Sequence, residues 1–197
     1  QIAAQHAGGS LVSVLEGGTL AWSDAGYELF SGVNVPSKAF GEIVEHEYGT
    51  PSISADELKS KLDAGDGVVV LDSRPYSEYH ARNIPGGICV PGGELVYRVD
   101  ALTPSEDVLL VVNCAGRTRS IIGAQSLLNA GVSNQVVALR NGTMGWHLAG
   151  YKLETGMNRR APEVSGKTLE IAKKRARAIA ARYRVKTIHK GDLERFQ

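Results

Sequence analysis

The stretch VVNCAGRTRSIIGAQSLL, Val111–Leu128, joins a β-branched apolar run to a helical pattern through a short polar loop. The predicted strand is Asp107–Asn113, and the lack of alternation in its apolar residues indicates burial on both faces of a sheet. Residues 119–129 follow it with a helical pattern. Cys114 stands where the predicted strand ends. The stretch therefore predicts a strand–loop–helix unit with a thiol at the carboxyl end of the strand.

The same alternation of strands and helices continues on both sides of this unit. Further buried strands are predicted at residues 68–73, 87–91 and 135–139. Further helices are predicted at residues 75–81, 92–102 and 142–150, and one that starts with a capping box at Ser54 to Glu57. This pattern indicates an α/β fold with a doubly wound, mostly parallel sheet and helices on both faces. Ligand sites in such sheets lie beyond the carboxyl ends of the strands, which makes Cys114 a candidate.

Composition and charge narrow the class of protein. The chain has 197 residues, 43% of them hydrophobic, which is enough for a sizeable core. Its two cysteines are too few for a disulfide framework, so we expect free thiols and a cytoplasmic location. No apolar run approaches the length of a membrane span, and residues 1–20 lack the pattern of a signal peptide.

The charge is unevenly distributed along the chain. Residues 157–197 carry 12 Lys/Arg and 4 Asp/Glu, whereas residues 1–156 carry 10 and 17. A basic helix is predicted at residues 165–183. Such a helix can bind nucleic acid, an anionic membrane or a partner protein. Its place between two predicted domains favours a connecting helix, so we expect no nucleic-acid or membrane partner.

A repeat with an offset of 124 residues suggests several domains. Nine residues between Val14 and Gly32 recur between Ala138 and Gly156. They are Leu15, Gly18, Thr19, Trp22, Ala25, Gly26, Tyr27, Leu29 and Gly32. A weaker similarity relates residues 51–62 to residues 186–196. A single fold that uses one strand–helix element twice is the alternative.

The repeat predicts a fragment of a tandem array. The predicted parts are the end of a preceding domain at residues 1–35, a linker at 36–50, a complete domain at 51–156, a basic linker helix at 157–185 and the start of a following domain at 186–197. A truncated first domain would leave a sheet edge exposed, so we also predict a homodimer.

The residues around Cys114 favour a reactive thiol over a structural one. A cysteine is most often a small buried hydrophobe, and Cys89, inside an apolar strand, fits that role. Cys114 is followed by a turn whose N–H groups can converge on an anion, by a helix N-terminus, and by Arg117 and Arg119. All three favour a thiolate, the form that acts as a nucleophile.

These residues resemble the rhodanese family of sulfurtransferases. The resemblance covers residues 51–156 and rests on NCAGRTRS at Asn113–Ser120, on LDSRPYSEYHARNIPGGICVP at Leu71–Pro91 and on LRNGTMGWHLAGYKL at Leu139–Leu153. Two departures concern the substrate and the last helix. Ala115 stands where thiosulfate-using members often have arginine, and Asn141 replaces the first glycine of a Gly-Gly pair.

The resemblance implies a five-stranded rhodanese-like sheet and a sulfur transfer reaction. The thiolate of Cys114 would take the outer sulfur of thiosulfate as a persulfide, and cyanide or a thiol would accept it. The implied substrate-binding residues are Ala115, Gly116, Arg117, Thr118, Arg119 and Ser120. The implied ion-pair support of the loop is formed by Asp72, Arg74 and Glu78. No cofactor or metal is expected. The two arginines, with no acid in the loop, favour a dianionic donor, and mercaptopyruvate is the alternative donor.

Two other functions share parts of this pattern. Cysteine phosphatases place an arginine after five intervening residues, but four separate Cys114 from Arg119, and Ser120 occupies the phosphatase position. The shorter loop argues against phosphatase or arsenate chemistry. A rhodanese-like module that carries sulfur to a protein thiol without turnover is the second alternative.

Overall fold

The computed structural model describes residues 15–27, 35–189 and 191. The chain divides into two compact units, Gln1–Asn34 and Val35–Gln197. Parts of the predicted first and last domains, residues 1–14, 28–34, 190 and 192–197, lie outside the described residues. The predicted division into domains stays a prediction.

Among the described residues of the second unit, five strands form one parallel sheet. The strands are β1 (Ser52–Ile53), β2 (Val68–Asp72), β3 (Ile88–Cys89), β4 (Leu109–Asn113) and β5 (Val136–Leu139). Their order across the sheet is β1-β5-β4-β2-β3, and every neighbouring pair is parallel. The predicted doubly wound α/β sheet with helices on both faces is therefore confirmed.

Helices cover both faces of the sheet. In chain order the helices of this unit are α2 (Val35–Tyr48), α3 (Ala55–Ala64), α4 (Tyr76–Ala81), α5 (Leu95–Arg98), α6 (Thr118–Asn129), α7 (Gly142–Leu148) and α8 (Gly166–Arg182). Residues of α2, α5 and α6 share one core cluster with the sheet, and residues of α3 and α7 share the other.

The central strand β4 supplies both clusters in alternation. Leu110 and Val112 face the cluster that contains α6, whereas Leu109 and Val111 face the cluster that contains α7. All five residues of the strand are buried. A strand buried on both faces has no reason to alternate in polarity, which explains its continuous apolar sequence.

Two helix predictions have different outcomes. The capping box is confirmed, because Ser54 Oγ accepts from the Glu57 amide at 3.2 Å and Glu57 Oε2 accepts from the Ser54 amide at 2.8 Å. The continuous helix at 92–102 is wrong. That segment forms a 3₁₀ turn at Gly92–Glu94, the short helix α5 and a second 3₁₀ turn at Val99–Ala101. Two adjacent glycines at its start weaken a regular helix.

Residues 36–50, predicted as a linker, are mostly helical. They fall largely within α2, and Val44 of this helix lies in the core cluster beside α6. After the helix ends, the buried Thr50 hydroxyl donates to Gln125 Oε1 at 2.8 Å. Phe40 and Ile43 are exposed although Phe40 stands at helical spacing from Val44, so the apolar residues of this helix do not all face the core.

The basic helix α8 packs on the same unit. Ala172 is buried, and Arg175 Nη2 donates to Asp100 Oδ1 at 2.9 Å. Lys167, Lys173 and Lys174 are exposed on its other side. This arrangement fits a helix that rests a small apolar face on the domain. Within the described residues, no helix is long and apolar enough to cross a membrane.

The described part of the first unit contains the helix α1 (Gly18–Asp24). It follows Gly17 at φ 71° and ends before Ala25, just as α7 follows Asn141 at φ 60° and ends before Ala149. The ring centroids of Trp22 and Tyr27 lie 4.6 Å apart, and the corresponding rings after α7 lie 5.0 Å apart. The two copies of the repeat thus share a helix with the same ends.

Candidate active site

The site begins with a buried network where β2 and β4 end side by side. Asp72 and Asn113 are paired in register, and Asn113 Nδ2 donates to Asp72 Oδ2 at 3.0 Å. Arg74 donates to the same carboxylate through Nε at 2.8 Å and Nη2 at 2.6 Å. Ser73 joins the strand ends, because its amide and its hydroxyl each donate to the Asn113 carbonyl at 2.8 Å. Every charged group in this network has a partner, as burial requires.

Cys114 follows β4 directly and is only 2% exposed. Its thiol donates to Ser120 Oγ, with Sγ and Oγ 3.5 Å apart. Ser120 Oγ in turn donates to the Arg117 carbonyl at 2.8 Å. Helix α6 starts four residues after the cysteine, and its first amides have no carbonyl partner within the helix. The thiol therefore lies beside a helix N-terminus that favours negative charge.

Arg119 is the loop arginine that interacts electrostatically with the Cys114 thiol. Its guanidinium donates to both oxygens of Glu78, at 2.7 and 2.8 Å. This hydrogen bond lowers the pKa of Glu78 below its usual range. The same bond raises the pKa of Arg119, and a negative charge on Cys114 would raise it further. Glu78 thus contacts the loop through Arg119, and its predicted role as support of the loop stays a prediction.

A cleft of about 330 Å³ opens beside Arg119. It is lined by Ser73, Pro75, Pro91, Gly92, Arg119, Ile122, Gly123 and Ser126. Its walls are apolar apart from the guanidinium and two hydroxyls. Cys114 does not line it, so the cleft borders the loop on the side of α6 rather than opening onto the thiol.

Arg117 is held by two acids that the sequence did not reveal. Its Nε and Nη2 donate to the two oxygens of Glu42 at 2.7 and 3.0 Å, and Nη2 also donates to Glu45. The hydrogen bond that Arg117 donates to Glu42 is the main cause that raises the pKa of Arg117. Both acids come from α2, more than 70 residues before the loop. No local signal in the sequence could have connected them.

A second set of missed contacts holds the loop from the side of α7. The amides of Thr143 and Met144 donate to the carbonyls of Cys114 and Ala115 at 2.9 and 3.0 Å. A Cβ on Gly142 would lie 2.2 Å from the Cys114 carbonyl oxygen, so only glycine allows this approach. The repeat offered the one available signal, because the Gly-Thr pair recurs at Gly18 and Thr19.

The other predicted site residues lie in the loop after Cys114 and in the first turn of α6. Gly116 lies in the bend, and Thr118 begins α6 with its side chain against Gly41 of α2. Cys89 lies in β3, where burial raises the pKa of its thiol. Among the described residues, no group of three or more His, Cys, Asp or Glu side chains is placed to hold a metal ion.

The fold and the site define a class: α/β proteins with one cysteine in a short loop between a central parallel strand and a helix N-terminus. Within that class, residues 54–149 match the family model of the rhodanese-like domain. This chain therefore contains a rhodanese-like domain.

Individual proteins resemble this chain over longer or shorter stretches. The crystal structure of thiosulfate sulfurtransferase from Pseudomonas aeruginosa is 54% identical with a TM-score of 0.80, over 95% of this chain and 36% of that one. An HTH-type transcriptional regulator of Mycobacterium tuberculosis is 33% identical over 110 residues, which are 55% of this chain and 47% of that protein. The candidate sulfur carrier protein YrkF of Bacillus subtilis is 29% identical over 102 residues, 50% of this chain and 54% of that protein.

All three proteins are longer than the matched regions. The chain spans about half the length of the two curated relatives and about a third of the sulfurtransferase. The similarity thus concerns a part of each of them.

Proposed function

We propose that this chain is a sulfurtransferase that moves a sulfane sulfur from thiosulfate, or a similar anionic donor, through a persulfide on Cys114. The observation that carries the proposal is the position of this thiol. It lies at the end of the central strand, beside the N-terminus of α6 and within the field of Arg119. A negatively charged sulfur is favoured at such a place.

The first step is attack of the Cys114 thiolate on the outer sulfur of thiosulfate. A bond forms between the cysteine sulfur and that outer sulfur, while the bond to the sulfonate sulfur breaks. The electron pair of the broken bond leaves with sulfite. The products are an anionic Cys114 persulfide and sulfite. Reactants and products therefore carry the same total charge, three negative charges. The first amides of α6 and the Arg119 guanidinium would stabilise the developing anions.

The second step returns the cysteine to its starting form. Cyanide attacks the terminal sulfur of the persulfide, and thiocyanate leaves while the electron pair of the S–S bond stays on Cys114. A cellular thiol can replace cyanide and become a persulfide itself. Because the donor's product leaves before the acceptor reacts, this scheme predicts ping-pong kinetics.

Intact-protein mass after incubation with thiosulfate tests the persulfide. We expect the native chain to gain about 32 Da, the mass of one sulfur, and to lose it again with cyanide. Cys114→Ser should show no gain. Cys89→Ser is the matched control and should gain the sulfur as the native chain does. A sulfur that persists in Cys114→Ser, or its absence from the native chain with every sulfane donor, would contradict the proposal.

A non-turnover sulfur carrier that docks with a partner protein is the second candidate. The similarity to YrkF supports it. Rapid thiocyanate production would favour the enzyme, whereas a stable persulfide that only a protein thiol removes would favour the carrier. The predicted homodimer and cytoplasmic location remain proposals, checked by sedimentation and by fractionation of cells.

A further inference from the structure

The second loop arginine is occupied by carboxylates from a helix outside the matched domain. The match to the rhodanese-like domain begins at residue 54, whereas Glu42 and Glu45 lie in α2. Glu42 contacts Arg117 with both oxygens, and Glu45 adds a third contact. The guanidinium is thereby engaged through its Nε and Nη2 atoms. The Arg117 guanidinium, bound by these carboxylates, would therefore present no net positive charge to an anionic donor.

Helix α2 is fixed beside the loop by two packing contacts and by a hydrogen bond just after its end. Gly41 faces Thr118 so closely that a Cβ on Gly41 would lie 2.8 Å from Thr118 Cγ2. Val44 is buried in the core beside α6, and the Thr50 hydroxyl binds Gln125 of α6. These contacts place Glu42 and Glu45 beside Arg117 without depending on the ion pair itself.

The charge balance around the loop is negative rather than positive. Arg117 and Arg119 supply two positive charges, and three carboxylates contact them: Glu42, Glu45 and Glu78. Asp72 and Arg74 cancel each other in the buried network. The sequence prediction of a loop that favours a dianion counted the two arginines alone, because the acids come from α2 and α4.

We propose that Glu42 and Glu45 determine donor specificity by charge: they lower the affinity of the Cys114 site for dianions relative to donors of lower charge. They act as positioning residues, through Arg117, and not on the sulfur itself. The assignment of a donor rests on the proposed function, but the effect on an approaching anion does not. A negative field at the loop acts on any anionic reagent that reaches Cys114.

Alkylation of Cys114 tests the field without any sulfur transfer. Iodoacetamide is neutral and iodoacetate is an anion. With either, the thiolate forms a carbon–sulfur bond and iodide leaves with the electron pair of the carbon–iodine bond. In E42Q/E45Q we expect the rate with iodoacetate, relative to iodoacetamide, to rise about threefold at low salt, the scale of partly screened surface charges. The rise should shrink at high salt, and peptide mass must place the adduct on Cys114.

E47Q is the matched control, since Glu47 lies on the same helix, is exposed, and contacts His46 rather than the loop. Its rate ratio should equal that of the native chain. The single variants E42Q and E45Q are measured as well. They test the charge effect if the double variant does not fold. An unchanged ratio in both single variants, or an equal rise in E47Q, would overturn the proposal.

Steady-state kinetics then test the donor. For E42Q/E45Q we expect the KM of dianionic thiosulfate to fall about tenfold and the KM of monoanionic methanethiosulfonate to fall about threefold, because each unit of donor charge senses the same field. A helix that is merely loosened would change kcat and affect both donors alike, and that result would contradict the proposal. If no donor is turned over while the alkylation ratio still changes, the proposed function fails and the charge effect stands.

Discussion

At the scale of the residue, Cys114 and Cys89 are nearly equal in burial and differ in what surrounds them. Their exposed fractions are 2% and 4%. Burial raises the pKa of Cys89, and the Arg74 carbonyl, 3.9 Å from its sulfur, is an acceptor that offers no stabilisation to a thiolate. Cys114 has a helix N-terminus and Arg119 beside it. The difference in environment, rather than in access, sets the two thiols apart.

The buried Asp72–Arg74 pair should contribute more to the stability of the domain than an exposed ion pair does. Both side chains are at most 5% exposed, and Asp72→Asn would leave the Arg74 charge without its partner. We expect this change to lower the free energy of unfolding by about 3–5 kcal/mol. Urea denaturation measures it. Asp63→Asn breaks the exposed Lys59–Asp63 pair and should cost less than about 0.5 kcal/mol. Equal costs for the two variants would refute this account.

At the scale of the element, the loop is held between α6 and α7, which come from different parts of the chain. Helix α6 supplies the N-terminus and Ser120, and α7 supplies the amides of Thr143 and Met144. Loop geometry therefore depends on the close approach of Gly142, whose φ is 53°. The residue before it, Asn141, also has a positive φ, a conformation that asparagine tolerates better than most residues.

Gly142→Ala should disrupt the site, whereas Gly150→Ala should cost only backbone strain. Both glycines have positive φ, but an added Cβ would overlap the Cys114 carbonyl at Gly142 and meet no heavy atom within 4 Å at Gly150. We expect Gly150→Ala to lose about 1–2 kcal/mol of stability. Gly142→Ala should lose a further 1–3 kcal/mol or so and slow the alkylation of Cys114. Thermal melts and alkylation rates check both, and equal behaviour of the two variants would contradict the contact.

Sequence reasoning succeeded where the signal was local. It identified the strand β4, the capping box at Ser54 and the cysteine after the strand, because each of these features depends on neighbouring residues in the chain. It failed where contacts join distant segments. The carboxylates of α2 could not be assigned to Arg117, since exposed acids on a helix are ordinarily solvated and nothing local marks their partner. The same limit hid Thr143.

At the scale of the whole molecule, the folded unit is larger than the matched rhodanese-like residues. Helices α2 and α8 both lie outside residues 54–149, yet each buries a side chain on the unit: Val44 and Ala172. An ion pair adds to the second contact, between Arg175 and Asp100. Segments that pack in this way should unfold together with the domain they cover.

Val44→Ala should therefore destabilise the whole domain, although it lies outside the matched residues. Val44 is 7% exposed, and removing its methyl groups should lower the free energy of unfolding by about 2 kcal/mol in a single transition. The neighbouring Ile43→Ala is the control, because Ile43 is 58% exposed, and it should change stability by less than about 0.5 kcal/mol. Denaturation followed by tryptophan fluorescence checks both. A native-like midpoint for Val44→Ala would show that α2 unfolds separately.

The alternation along β4 links the position of the Cys114 thiol to the order in which the strand residues face the two core clusters. Even-numbered residues of this strand face one layer and odd-numbered residues face the other, and Cys114 comes immediately after the last of them. Deleting or inserting one residue inside the strand would turn the side chains that follow it toward the opposite layer and shift Cys114 along the strand direction by about 3.3 Å. Side chains in β4 can thus be exchanged for others of similar size, but its length cannot vary. Insertions and deletions must be confined to loops away from the carboxyl end of β4.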